Sequence, residues 1–360
     1  MIQFGIAGSG WRSEFFLRIA AAAPERFHVT GLLSRGGPKS EELGAKFAVP
    51  IVSSVETLLH AKPEFVVVSV PWVVAPEMTV ELARRGMPVL CETPPAPDED
   101  ALLRLHQTIS GLPGARVQVA EQYVAQPLHA ARLGVIERGW LGRPSFAHVS
   151  AAHGYHGISL IRRYLGTGFK IPSISARAFA APIVAGPGRD GPPEAERVHA
   201  ATQLLAYLDF DEALGVFDFC GEQYFSWIRA PHVMVRGERG EIQDETVRWL
   251  VDFRTPLAAE LRREVAGAGG NLEGLYLKGY TAAGEWIYRN PVAPARLADD
   301  EVAIATCLIH MSAYAAGGAE FYPLREAMHD RYIDIWMERA REHNGPLKPP
   351  VPPWCERAEA

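Results

Sequence analysis

The sequence predicts a two-part α/β protein: an N-terminal doubly wound domain with a parallel sheet, then an α+β domain built on a large, mostly antiparallel open sheet. Three observations carry this expectation. From Ile2 to Val119, short apolar runs alternate with helical stretches, and a run such as Phe65-Val-Val-Val-Ser-Val70 is continuously apolar rather than alternating, as in strands buried on both faces. The first run passes through Gly8 and Gly10 straight into Phe16, Ile19, Ala20 and Ala23, an i, i+3, i+4, i+7 helical stripe. After Ala120 strand follows strand, separated by glycine and charged turns, as expected of an antiparallel sheet.

In the first part, His28–Leu33, Phe65–Val70, Val89–Cys91 and Arg116–Val119 read as further strands. Glu77–Arg85 and Asp98–Ile109 read as helices, with Gly86 and Gly111 at their ends, where C-terminal caps belong. In the second part, Gln126–Arg138 and Ile158–Leu165 are expected helices. Ser145–Ser150, Ile174–Ile183, Gln203–Asp209, Ala213–Cys220, His232–Arg236, Thr246–Val251 and Leu275–Tyr280 are expected strands. Ala298–Ala316 and Leu324–Arg341 carry long helical patterns. Gly186–Pro193 and Gly267–Asn271 read as exposed loops, and Pro346–Trp354 is too rich in proline for a helix or central strand. The expected domains are 1–121, 122–343 and a proline-rich tail, 344–360.

A chain of 360 residues suffices for about two domains. Its net charge of -6 and pI near 6.1 give no basic footprint for nucleic acid. No apolar run approaches the roughly 20 residues of a spanning helix, and the N-terminus lacks the charged segment and cleavage site of a signal peptide. The reading is a cytoplasmic protein with neither a membrane nor a nucleic-acid partner. Cys91, Cys220, Cys307 and Cys355 are widely spaced, which offers no zinc ribbon or disulfide framework; they are expected to be reduced and mostly buried.

The residues from Gly8 to Ser13 suit a dinucleotide. Gly8 would permit a tight turn, Gly10 would let backbone N–H groups approach a pyrophosphate, and Ser13 is the small residue where helix meets strand. Ser9, Trp11 and Arg12 line the same turn, at a helix N-terminus that favours an anion. At the end of the second strand, where a carboxylate normally takes the ribose hydroxyl, stand Ser34 and Arg35. A hydroxyl and a guanidinium suit a 2′-phosphate, so the cofactor is read as NAD(P), weighted toward NADP; the alternative is a solvated Arg35. Ser69, Pro71 and Trp72 follow the Phe65 run, at the strand edge where ligands bind such sheets, although an aromatic there can also be plain packing.

Val89-Leu-Cys-Glu-Thr-Pro-Pro95 places Glu92 and Thr93 before proline at the end of the fifth strand. With the glycine turn, this segment resembles the Gfo/Idh/MocA family, the glucose–fructose oxidoreductase and inositol dehydrogenase group. Leu141-Gly142, Leu165-Gly166, the segment 236–241 and Glu320–Asp330 fall where such proteins place similar segments, so the resemblance spans nearly the whole chain. It implies an N-terminal Rossmann domain, a C-terminal open-sheet domain that commonly mediates contacts between subunits, and hence a homodimer or homotetramer. It also implies hydride transfer on a sugar, cyclitol or related polyol. Gln122, after the sixth strand, falls near the nicotinamide in such proteins; Glu121 beside it is a second candidate acid or base, or a hinge carboxylate.

The resemblance breaks where chemistry is expected. The family's Glu-Lys-Pro has Thr93 in place of lysine, and its Asp-x-Gly-x-His-x-x-Asp appears as Ala152-His-Gly-Tyr-His156-Gly-Ile-Ser159. Ala75 stands where many relatives carry histidine. That leaves His156, suited to proton transfer near neutrality, with Tyr155 and His153 to orient substrate. The alternative is that all three are satisfied helix-start residues. No carboxylate or cysteine completes a metal set beside the histidines, so no metal is expected. The resemblance leaves two further functions open: transient use of tightly held NAD for elimination or glycosidic cleavage, and a non-catalytic dinucleotide or sugar sensor.

Overall fold

The structure is a computed structural model that describes residues 1–189, 191–270, 274–343 and 345–355. Asp190 and Asn271 of the two expected loops, and Asn344 and residues 356–360 of the expected tail, lie outside the described residues. The chain forms two compact units. One comprises Met1–Pro127, Arg263–Gly279 and Arg289–Met328; the other comprises Leu128–Arg262, Tyr280–Tyr288 and His329–Ala360.

The first unit contains β1 (Ile2–Ala7), α1 (Trp11–Ala22), β2 (Phe27–Leu33), α2 (Pro38–Phe47), β3 (Ile51–Val52), α3 (Val55–His60), β4 (Phe65–Val68), α4 (Ala75–Arg84), β5 (Val89–Cys91), α5 (Glu99–Ser110) and β6 (Val117–Val119). The strands are parallel, in the order β3-β2-β1-β4-β5-β6. That is the doubly wound order, with a switch point beside β1. All four residues of β4 are buried, as a continuous apolar run requires when both faces of the sheet are covered. The β4 strand stops two residues short of the expected Val70. There the chain turns through Pro71, whose carbonyl accepts from the N–H groups of Val74 and Ala75 and so opens α4 early.

The sequence offered no periodic signal for the short α2, α3 and β3. The segment around α8 (Asp299–Ala315), far along the chain, supplies Val302, Ile304, Leu308 and Met311 to the core that holds Phe4, Phe16 and Ile19. Each such buried side chain contributes about 1.5–3 kcal/mol over exposure. Buried Gln118 accepts from the N–H groups of Phe321 and Tyr322 at 3.1 and 2.9 Å, which satisfies its amide oxygen inside the core.

The second unit is built on β7 (Pro144–Ser150), β8 (Ser173–Val184), β9 (Val198–Asp209), β10 (Leu214–Cys220), β11 (His232–Gly237), β12 (Gly240–Gln243), β13 (Thr246–Asp252) and β14 (Thr255–Glu260). They form one sheet in the order β14-β13-β12-β11-β7-β10-β9-β8. Only the β7–β10 pair is parallel; its neighbours are antiparallel. The amphipathic α7 (Gly154–Leu165) covers β7 and β10. It begins four residues before the expected Ile158. Much of α9 (Leu324–Glu342) belongs to this unit. The proline-rich tail is tied down where Ile174 and Leu347 exchange backbone hydrogen bonds of 2.7 and 2.8 Å.

α6 spans Pro127–Glu137, and a three-stranded sheet orders as β15 (Arg262–Ala266), β16 (Tyr276–Ala282) and β17 (Glu285–Arg289). No helix among the described residues is long and apolar enough to cross a membrane. Cys91, Cys220 and Cys307 are buried and Cys355 is partly buried, all as free thiols.

Candidate functional site

In the first unit, the carboxyl ends of the parallel strands gather most of the residues singled out as cofactor contacts. Gly8 follows β1 with φ +112°, and a Cβ built there would stand 2.1 Å from the Ser69 carbonyl oxygen. Only glycine fits, because β4's end passes directly across the turn. The turn is pinned by Gly8 N–H donating to Leu33 O at 2.9 Å and Ser69 N–H donating to Ala7 O at 2.8 Å.

Gly10 is the N-cap of α1 and provides no side-chain cap, so nothing from the cap competes with a ligand for the first-turn N–H donors. Ser13 is fully buried, and its hydroxyl donates to Ser69 Oγ at 3.1 Å, closing helix against strand. Ser9 and Ser34 hydroxyls lie 3.3 Å apart, which joins the glycine turn to the end of β2. Arg35, Pro71 and Trp72 are exposed.

Deeper in the same unit, Arg12, Glu92 and Gln122 form a cluster that crosses three strand ends. Arg12 Nε lies 3.8 Å from Glu92 Oε2. With its amide oriented to satisfy both neighbours, buried Gln122 donates to Ala120 O at 2.8 Å and accepts from Arg12 Nη2 at 3.3 Å. Thr93 N–H donates to Glu92 Oε2 at 3.3 Å. Buried Glu121 accepts from Tyr123 N–H at 3.1 Å. Burial pushes the Glu92 carboxyl above the usual carboxylate range, against the pull of Arg12, and nearby Glu121 pushes it further. Burial also raises the Cys91 thiol to about 12, so it is an inert core group rather than a nucleophile.

These residues fit a dinucleotide. The side-chain-free cradle at Gly8, the uncapped α1 N-terminus and the strand-end location supply the general requirement. Arg12 Nη1 and Glu92 Oε1 add a specific one: both are buried and, among the described residues, have no hydrogen-bond partner. Buried polar atoms are ordinarily satisfied, and polar groups of a bound ligand would satisfy these.

In the second unit, the turn from β7 into α7 brings His153, Tyr155 and His156 together. His153 is the N-cap of α7, in extended conformation. Its ring meets Tyr155 edge-on at 5.2 Å and His156 edge-on at 5.0 Å, while Tyr155 and His156 lie 4.4 Å apart. His153 is exposed, whereas His156 and Tyr155 retain only 3% and 5% of their surface. His153 N–H donates to the Tyr224 hydroxyl at 3.0 Å, and that hydroxyl also pairs with His153 Nδ1.

Ala152 and Ser159 are both buried. Ser159 spends its hydroxyl on His156 O at 2.9 Å. No local pattern points to Tyr224, 71 residues away, or to Asp334 and Arg331, which sit together on α9. The fold alone brings them to this turn or beside it.

The first unit is thus a doubly wound dinucleotide-type domain. Residues 2–119 match the Gfo/Idh/MocA oxidoreductase family, NAD-binding Rossmann fold. No curated protein matches the chain. The whole fold is similar to levoglucosan dehydrogenase in complex with NADH and levoglucosan, at 16% identity, TM-score 0.67, covering 98% of this chain and 99% of that one. It is also similar to an oxidoreductase from Agrobacterium radiobacter in complex with NAD+, L-tartaric acid and magnesium, at 14% identity, TM-score 0.64, covering 96% and 98%. The WlbA dehydrogenase from Bordetella pertussis, in complex with NADH and UDP-GlcNAcA, shares 16% identity and TM-score 0.63, covering 97% and 99%. At such identities the shared property is the fold.

Proposed function

We propose that the protein is an NAD(P)-dependent dehydrogenase acting on a CH–OH group of a sugar, cyclitol or related polyol. One observation carries the reading: a chain whose residues 2–119 match an NAD-binding oxidoreductase family also holds three polar aromatic residues within four positions at the start of α7. Gly8, Ser9, Gly10, Trp11 and Arg12 would hold the dinucleotide, with Ser34 and Arg35 toward the adenosine ribose. Ser69, Pro71, Trp72, Glu92, Thr93 and Gln122 would lie toward the nicotinamide. When bound, the nicotinamide supplies a hydride acceptor or donor.

The chain's own residues manage the proton. His156 would accept the proton from the oxygen of the substrate hydroxyl, and Tyr155 and His153 would orient the hydroxyl groups. Arg35 favours a 2′-phosphate and thus NADP. A homodimer or homotetramer, tested by light scattering on the eluting protein, completes the proposal.

The test is direct. Purified protein is titrated with NADH and NADPH by fluorescence, then assayed at 340 nm with NAD+ or NADP+ over a panel of sugars and cyclitols. Cofactor binding plus reduction with at least one polyol is expected; a protein that binds neither nucleotide sinks the reading. Thr93 and Ala152 also favour a second reading, transient oxidation by held NAD followed by elimination, because the usual lysine and aspartate are absent. Product formation without net NADH accumulation separates the two.

A further inference from the structure

The turn that carries His153, Tyr155 and His156 has no carboxylate among residues 152–159, yet a carboxylate reaches it from a distant part of the chain. Asp334, on α9, is buried, and its carboxylate lies at the first turn of α7, against Gly154 and beside the Tyr155 backbone N–H. Its Oδ2 pairs with Arg331 Nη1, one turn earlier on the same helix. A second observation concerns Gly154. This residue has φ +37°, and a Cβ built on it would stand 2.5 Å from Asp334 Oδ1 and 3.0 Å from Asp334 Cγ. The first helical residue of α7 is therefore side-chain-free where the Asp334 carboxylate arrives.

We propose that Asp334, held by Arg331 and admitted by Gly154, is the positioning carboxylate of the His153–His156 turn. It fixes the backbone of Tyr155 and thereby the relative setting of the three rings. The geometry has a plain physical basis. A carboxylate accepting an N–H at a helix start both satisfies one of the four orphan donors and meets the positive end of the helix dipole. In the buried setting, that hydrogen bond has little competition from water. Asp334 acts through Tyr155, so it is not assigned contact with substrate. Its consequence for turnover rests on the dehydrogenase reading above.

Two variants and two readouts test the assignment on the full chain. Hydrogen–deuterium exchange of a peptide covering 153–157 is expected to speed up at least roughly tenfold in Asp334→Ala, because the Tyr155 amide loses its acceptor, while residues 158–165 keep their protection. Asp334→Asn retains an oxygen acceptor and should restore both the protection and turnover to within about threefold of the parent. Asp334→Ala should lower kcat about tenfold or more, with NADH affinity unchanged.

Unchanged exchange in Asp334→Ala, or an Asp334→Asn protein as impaired as Asp334→Ala, overturns the proposal. Should Asp334→Ala fail to fold, Gly154→Ala decides: its methyl group would displace the carboxylate, and full protection of 153–157 in that variant sinks the idea. If the parent turns over no polyol, the dehydrogenase reading fails, whereas the exchange experiment still judges Asp334.

Discussion

The two polar regions of this protein are assembled in opposite ways. In the first unit, the candidate cofactor surface is mostly backbone: a glycine turn, a helix N-terminus and strand ends, with Arg12, Glu92 and Gln122 beside them. Its parts come in sequence order, from the ends of β1, β2, β4, β5 and β6. In the second unit, the surface is made of side chains, and its supports come from remote segments, Tyr224 71 residues from His153 and Asp334 on the penultimate stretch of chain. The difference teaches that the candidate dinucleotide cradle depends on a local backbone pattern, whereas the cluster around His156 depends on groups that packing brings from other parts of the chain.

The largest expected effect would strike the second region. His156→Ala should lower kcat by roughly 10²–10⁴-fold, the range for loss of a general base, while NADH affinity by fluorescence titration stays within about twofold. Comparable turnover in the variant would show that the ring is packing only. Gly8→Val should do the reverse. With a Cβ meeting Ser69 O at 2.1 Å, the turn must open, and dinucleotide affinity should fall by roughly 100-fold; an unaltered Kd would remove the glycine turn from the binding surface.

Asp334 gives a pH test of comparable size. Burial pushes its carboxyl up to about 6, against the opposing pull of Arg331. A raised folded-state pKa means that the folded chain binds the proton more tightly. This group's stabilising share is therefore full below its unfolded value near 4, and is lost as pH rises through about 6. The two pKa values differ by about 2 units, which corresponds to about 3 kcal/mol across that window. Urea unfolding at pH 4 and pH 7 should show the parent losing this amount relative to Asp334→Asn; parallel changes in both proteins would refute the assignment of the titration.

Smaller effects sharpen the comparison within the first unit. Arg12→Met removes a charged donor from Glu92 and Gln122 and should weaken NADH binding about tenfold, read by calorimetry, with no effect on protection of the 153–157 segment. Arg35→Ala, at an exposed position, should cost NADPH affinity up to about fivefold and leave NADH unchanged. Equal loss for both nucleotides would assign Arg35 to general electrostatics.

How much was legible follows from the same contrast. Continuous apolar runs gave the parallel strands, because a strand covered on both faces must be apolar throughout. The His153–His156 cluster was visible because its residues are neighbours in the chain. The partners Tyr224, Arg331 and Asp334 carried no signal, since their relation to that cluster exists only after β10, α7 and α9 have packed. Short α2, α3 and β3, and the edge strand β14, also escaped notice: few residues define each, and their faces are set by neighbours.

The sequence by itself determined the alternation of apolar strands and helices in the first part, the glycine turn, and the cluster of three rings at His153, Tyr155 and His156. Each depends on residues close together in the chain, where period and spacing fix local structure. The tertiary structure decided which of those residues are buried, which distant groups satisfy them, and that a carboxylate from α9 meets the backbone of Tyr155. Burial and long-range hydrogen bonding are properties of the packed chain, and no local pattern encodes the partner of a group that lies far away in sequence.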